Sequence, residues 1–310
     1  MRNAYIRELY ELAKEDPNVL GINADNGAIV YDDFRRDFPK QYMNFGIAEA
    51  NMIAAAAGMA SCGKIPFCYT IGAFLAYRAL EFIRNDVCYQ KQNVKIVGIG
   101  SGCAYANLGP THHTTEDIAI LRSMPGLTIF SPASPLESKK ATRAAYEWDG
   151  PVYIRLGRNG EPEIYDKEYN FVPGKGVVLR KGKDVTIIGT GGILLDALEA
   201  AEALEKQGIS ARVVNIHTIK PLDEEIIQKA AEETKAIVTI EEHSIYGGLG
   251  GAVAEVLAEY GRNVRFRRVG LKGFVEGYGD PASVKKMNGI DGKAIVENVL
   301  LCLNMGSVSE

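Results

Sequence analysis

Apolar residues along this chain alternate between two spacings. Over residues 4–13 the apolar positions Ile6, Leu9, Tyr10 and Leu12 gather toward one side of a helix. Residues 19–25 read VLGINAD, an apolar run ending in polar residues, which predicts a buried parallel strand with function at its C-terminal end. Residues 49–63 are alanine-rich and nearly free of charge, the pattern of a helix packed on all sides. Strands are then predicted at 65–69, 94–99, 127–131 and 152–156, with helices at 76–87, 117–124 and 137–146 between them.

Over 157–183 periodicity gives way to Gly, Pro, Lys and Tyr. A second series follows, with strands at 184–189, 211–216 and 236–240 and helices at 194–207, 224–233 and 249–260. Gly208 stops the first of these helices. Strands alternating with helices define an α/β fold of two domains, each a mostly parallel sheet flanked by helices. The division is 1–160 and 184–310, joined by a linker at 161–183.

Composition narrows the class. The 310 residues are 46% hydrophobic and 24% charged, as in a soluble globular protein, and suffice for two domains. A net charge of −4 without a basic stripe argues against a nucleic-acid partner. Arg262, Arg265, Arg267 and Arg268 alternate with apolar residues and read as an edge strand with a solvated face. The five cysteines are odd in number and lack C-x-x-C, so neither a disulfide framework nor a zinc site is expected, and a reducing cytoplasm fits. The N-terminal MRNAYIRELYELAKED is a charged amphipathic pattern rather than a signal peptide. The uncharged run 50–63 is short for a membrane span, and 96–115 is rich in Gly, Asn and His, so no membrane association is expected.

Three segments carry candidate chemistry. In Asn44-Phe45-Gly46-Ile47-Ala48-Glu49 a single carboxylate enters a very apolar helix, where burial is costly unless it is paired or neutral. Glu49 is either a carboxylate at a helix N-terminus, favoured by free N–H groups, or a functional acid. Phe74 and Tyr77 lie three apart beside a glycine turn, as core aromatics or as a stacking surface. Gly109-Pro110-Thr111-His112-His113 is a rigid loop holding two of only four histidines, as loop polarity or as a functional pair. Cys103 reads as a packing residue, without an activating context. Glu241-Glu242-His243 and the 247–251 glycines read as structural, at a subunit interface.

In their order these segments resemble the second half of the transketolase family of thiamine-diphosphate enzymes, its pyrimidine-binding and C-terminal domains. The resemblance runs from about Arg2 to Leu300 through FGIAEANM, GAFLAY, GPTH with EDIAILRSMPGLTIFSPAS, VYIRLGR, TIIGTGG, HTIKPLD and IEEHSIYGGLGGAVAE. It implies that Glu49 hydrogen-bonds N1′ of the aminopyrimidine, a contact that promotes loss of the thiazolium C2 proton. Phe74 and Tyr77 match aromatics stacked on the pyrimidine, and Asp25 a residue facing the cofactor. His112 matches a histidine beside the reactive carbons of the substrate. Arg158 matches an arginine that grips the substrate phosphate, with Arg2 as a second, since a planar guanidinium bonds phosphate oxygens in pairs.

Two departures concern the substrate. Phosphosugar transketolases carry an acidic residue before GPTH and a histidine at the end of the preceding strand, where this chain has Leu108 and Gly100. Those positions read the acceptor's hydroxyl and phosphate, so an altered or deoxygenated acceptor is expected. The family's GDG followed downstream by Asn, which holds Mg²⁺ on the diphosphate, has no match here. The resemblance therefore implies a β-type subunit of a split enzyme. An α-type partner would bring the diphosphate and Mg²⁺ site, in an α2β2 assembly, and a two-carbon ketol unit would pass from a ketose donor to an aldose acceptor. Rival readings are the β subunit of a 2-oxoacid dehydrogenase, a deoxyxylulose-phosphate-synthase-like pyruvate/aldehyde condensing enzyme, and a non-catalytic scaffold.

Overall fold

A computed structural model describes residues 1–27, 29–158, 160–165 and 167–304. Strands Val19–Asn23, Lys95–Ile99 and Val152–Leu156 are buried at every position, as strands covered by helices on both faces must be. They belong to a seven-stranded sheet. Its spatial order is Thr218–Lys220, Thr128–Phe130, Val152–Leu156, Lys95–Ile99, Ile65–Ile71, Val19–Asn23 and Tyr42–Asn44. All neighbours run parallel except the first pair. A second, five-stranded sheet has the order Arg265–Leu271, Ala236–Ser244, Val185–Gly189, Ala211–Asn215, Val177–Arg180, antiparallel only at the last pair. The arginine-rich segment is thus an edge strand, with Arg265 and Arg268 exposed and Phe266 and Arg267 half-buried between them.

Helix Arg2–Glu15 packs on helix Pro135–Glu147 against one face of the large sheet, fastened where Arg143 meets Glu8 at 2.6 Å and Glu15 at 2.5 Å. Helix Glu49–Ser61 buries Met52, Ile53, Ala56 and Ala57. These helices and the central strands follow the sequence pattern closely.

Other elements differ from it: strand Tyr42–Asn44 and helices Asp32–Asp37, Pro281–Met287 and Gly292–Asn304 stand where the pattern predicts none. The helix predicted at 76–87 begins earlier, as Gly72–Arg78, and continues through Leu80–Phe82 into a wider π-type turn, Ile83–Tyr89. Gly72 makes the early start possible, since a Cβ there would lie 2.8 Å from Thr114. Val177–Arg180, inside the predicted linker, extends the small sheet; four half-exposed residues give too short a pattern to read. Thr218–Lys220 crosses from the second half to pair with Thr128–Phe130 of the first sheet.

Glu137, fully buried, ties the halves further. It accepts hydrogen bonds from Ala133 N–H at 2.6 Å, Tyr165 Oη at 2.7 Å, Tyr169 Oη, and Asn215 Nδ2 at 2.9 Å. A carboxylate with that many donors is compensated for its burial.

Candidate active site

In a parallel sheet, the loops beyond the carboxyl ends of the strands are free to carry side chains into a crevice. Asp25 follows Val19–Asn23, Glu49 follows Tyr42–Asn44, Phe74 and Tyr77 follow Ile65–Ile71, His112 follows Lys95–Ile99, and Arg158 follows Val152–Leu156. The strand order therefore gathers at one end of the sheet residues that are far apart in sequence.

Glu49 opens its helix and is only 3% exposed. Its carboxylate oxygens accept from Arg78 Nη1 at 3.2 and 3.4 Å. The same guanidinium lies 4.2 Å above the Phe74 ring, a cation–π contact. Phe74 meets the His112 ring edge-on at 5.0 Å, and His112 meets Tyr105 at 6.0 Å. Arg158 stacks on the outer part of this row, 4.7 Å from the Tyr105 ring centre. A continuous line thus joins the buried carboxylate to the guanidinium of Arg158.

Arg78 and Tyr105 belong to this line without having been expected from the sequence. Arg78 stands four residues after Phe74 on one helix, the spacing that brings side chains together, and that signal was available. Tyr105 is explained by the glycine at position 100. Gly100 has φ +82°, and a Cβ there would lie 2.0 Å from the Tyr105 ring. The tyrosine ring fills the space that a side chain at position 100 would need.

The remaining candidates have definite places. Asn44 Oδ1 accepts from the N–H groups of Asp25 and Gly46, both at 2.9 Å, fixing Asp25 beside the turn that leads to Glu49. Tyr77 Oη donates to Glu116 Oε2 at 2.6 Å; burial, then that carboxylate, pushes the phenol up. Ile47, 78% exposed, and Leu108, 45% exposed, present apolar surface at the rim. Burial pushes the Cys103 thiol up, which suits packing rather than nucleophilic attack.

Arg2 and Arg158 line a cavity of about 910 Å³ between the two halves, with Asn107, Thr190 and Lys285. Neither arginine pairs with a carboxylate among the described residues, whereas Lys285 pairs with Asp196 at 2.5 Å. Arg2 instead lies near Tyr69, where its charge opposes the effect of burial on that phenol. A guanidinium without a carboxylate partner is able to bind an anionic group, and the carboxylates Glu161, Asp196, Glu242 and Asp280 line the same cavity.

Residues 1–162 match the transketolase pyrimidine-binding domain and residues 174–295 the transketolase C-terminal domain. The chain is 37% identical to an apulose-4-phosphate transketolase subunit of Phocaeicola vulgatus, covering 96% of each. It is 40% identical to the 6-deoxy-6-sulfo-D-fructose transketolase subunit SqwH of a Clostridium species, covering 96% of this chain and 92% of that one. Among solved structures it is similar to a split-gene transketolase in an inactive β4 tetramer. The TM-score is 0.91, the identity 42%, and the coverage 98% of both chains.

Proposed function

The chain belongs to the transketolase family, and from that premise we propose that it is the pyrimidine-side subunit of a split transketolase, completed by an α-type partner. The observation that carries this reading is the unbroken line Glu49–Arg78–Phe74–His112–Tyr105–Arg158. It has a buried carboxylate at one end and an anion-binding arginine at the other. The residues fit thiamine diphosphate on their own chemistry: among the described residues Glu49 has no side-chain hydrogen-bond partner besides a half-exposed arginine, and the ring of Phe74 lies under that same arginine. When bound, the cofactor supplies an electron sink for cleaving and forming the carbon–carbon bond.

The side chains of this subunit then divide the remaining work. Glu49 would hydrogen-bond N1′ of the pyrimidine and hold the proton shared there, from a carboxylate that is itself buried. Phe74 would stack on the pyrimidine once Arg78 leaves the ring face it covers, with Tyr77 held by Glu116 and Asp25 at the edge. His112 stands where it can hydrogen-bond the oxygens of the reacting carbons. Arg158 and Arg2 bind the anionic end of the sugar. A two-carbon ketol unit passes from a ketose to an aldose, and Leu108 and Gly100 favour an acceptor other than the common pentose phosphates. Mg²⁺ and the diphosphate are held by ligands on the partner, in an α2β2 assembly in the cytoplasm; five free cysteines agree with that compartment.

The test is equilibrium binding of thiamine diphosphate with Mg²⁺, to the chain alone and to the complex isolated with its partner. Binding by the complex only supports the split-subunit reading, and tight binding by the chain alone overturns the assignment of the diphosphate site to the partner. Glu49→Ala in the complex is expected to lower ketol transfer by roughly 10²–10⁴-fold. Full activity in that variant would exclude the role given to Glu49. Turnover of pyruvate with an aldehyde, in place of ketose phosphates, would favour the condensing-enzyme reading.

A further inference from the structure

The segment Glu241-Glu242-His243-Ser244 lies between the halves, with Glu241 and His243 buried, Ser244 half-buried and the half-buried Glu242 at the border of the cavity that holds Arg2 and Arg158. It ends strand Ala236–Ser244, where the pairing with Arg265–Leu271 shifts register between Ile240 and Ser244. Glu241 stays with its own half and accepts from Leu249 N–H at 2.7 Å and Gly250 N–H at 2.9 Å. The next three residues each reach across. Glu242 Oε2 accepts from Cys103 N–H at 3.2 Å. His243 Nδ1 donates to the Ser244 carbonyl at 2.7 Å, which leaves Nε2 to accept from Ala119 N–H at 3.3 Å. Ser244 N–H donates to the Thr115 carbonyl at 2.7 Å.

Those partners flank one loop. Gly102 and Thr114 pinch its base through reciprocal backbone bonds of 2.9 and 3.1 Å, and His112 rides between them. Arg155 closes the same base. Its Nη2 donates to the carbonyls of Thr114 and Glu242, both at 3.0 Å, and its Nε to Asp117 Oδ2 at 2.8 Å. The fit at the crossing is tight, for a Cβ on Gly102 would lie 2.5 Å from the Glu242 Cβ.

We propose that Glu242, from the C-terminal half, is a positioning residue for His112: its carboxylate, with the Arg155 fork, locks the base of the Gly102–Thr114 loop and so holds the imidazole edge-on to Phe74. This rests on the reading of His112 as the group beside the reacting carbons. A carboxylate accepting a backbone N–H at a loop root fixes the loop's exit direction, and a shift of about an ångström at a reacting group costs on the order of 10²-fold in rate. The second domain thereby has a task in catalysis through the loop that it holds.

The experiment compares Glu242→Gln with Glu242→Ala in the complex with the partner subunit. D-xylulose 5-phosphate is the first donor, tested with ribose 5-phosphate and with deoxy and otherwise altered aldose phosphates as acceptors, and other ketose phosphates follow. The glutamine keeps an oxygen that accepts from Cys103 and removes the charge; the alanine removes both. Glu242 also borders the interdomain cavity, and this pair separates its charge from its bond. Expected for Glu242→Ala are a loss of roughly tenfold or more in kcat, unchanged affinity for thiamine diphosphate, and faster hydrogen exchange over residues 103–113. Glu242→Gln should restore most of the rate and the slow exchange. Equal effects in both variants, or unchanged loop exchange in the alanine variant, would overturn the proposal. A wild-type complex inert with every ketose phosphate would overturn the functional reading instead, and the exchange data would still decide whether Glu242 holds the loop.

Discussion

Arg78 and Glu49 form an ion pair in which one partner is buried and the other is half exposed, with 3.2 Å between Nη1 and Oε2. The guanidinium is steadied from below by the Phe74 ring, so one arginine compensates the carboxylate and covers the aromatic face beside it. Replacing Arg78 by Met should therefore cost more than an ordinary surface pair, because it strands a buried carboxylate. The isolated chain is expected to lose about 1–3 kcal/mol in thermal or urea unfolding, and Arg78→Met with Glu49→Gln to recover part of that. Strict additivity of the two substitutions would mean that the pair contributes nothing.

Gly100 and Tyr105 make a second test. A methyl group at position 100 meets the tyrosine ring and also forces a side chain onto a positive φ. Gly100→Ala should destabilise the chain by roughly 2–4 kcal/mol. Combining it with Tyr105→Ala should relieve the clash but raise KM for anionic substrates, because Arg158 loses its stacking surface. Melting temperatures and KM values of the three variants check this, and an unchanged KM would detach Tyr105 from substrate binding.

Stability should fall on mild acidification. His113 and His217 are buried, and burial pulls both imidazoles below their ordinary value of 6.5. The folded chain keeps them neutral while the unfolded chain protonates them. The unfolded state thus binds more protons, and stability declines as pH drops through 6.5 toward the lower folded-state values. Among the described residues neither ring nitrogen of His113 has a hydrogen-bond partner of good geometry, although the backbone of Tyr105 and Ala106 lies close, so His113→Leu should flatten the change in melting temperature between about pH 7.5 and 5.5. A slope identical to wild type would assign the effect to other groups.

At Glu137 the expectation is a large structural effect with little chemistry. Glu137→Ala leaves Tyr165 Oη, Asn215 Nδ2 and Ala133 N–H without their shared acceptor. A loss of roughly 3–5 kcal/mol follows for a buried group of this kind. Denaturant unfolding measures it, and limited proteolysis should show earlier cleavage in the 160–175 segment.

Much of the molecule was legible because burial imposes local periodicities. Strand Val152–Leu156 and helices Glu224–Glu233 and Leu249–Tyr260 have the bounds that their spacing predicts. Strands Tyr42–Asn44, Val177–Arg180 and the crossing Thr218–Lys220 were missed, since short edge segments carry too few positions to show a period. Among candidate residues, Glu49 stood out as a lone charge entering an apolar helix. Arg78 did not, because an arginine on an exposed turn looks like solvent-facing charge until Glu49 is found beside it.

The sequence by itself determined the alternation of strands and helices, the two sheets, and the ordered motifs that carry the family resemblance. All of these depend on spacings within a few residues or on the order of segments. Only the tertiary structure decided that Tyr105 fills the space above Gly100, that Arg78 covers both Glu49 and Phe74, and that Glu242 meets Cys103 across 139 positions. Hydrophobic periodicity reports which face of an element is buried. Which other element covers that face is set by strand order and by the packing of the two sheets, and no local pattern encodes it.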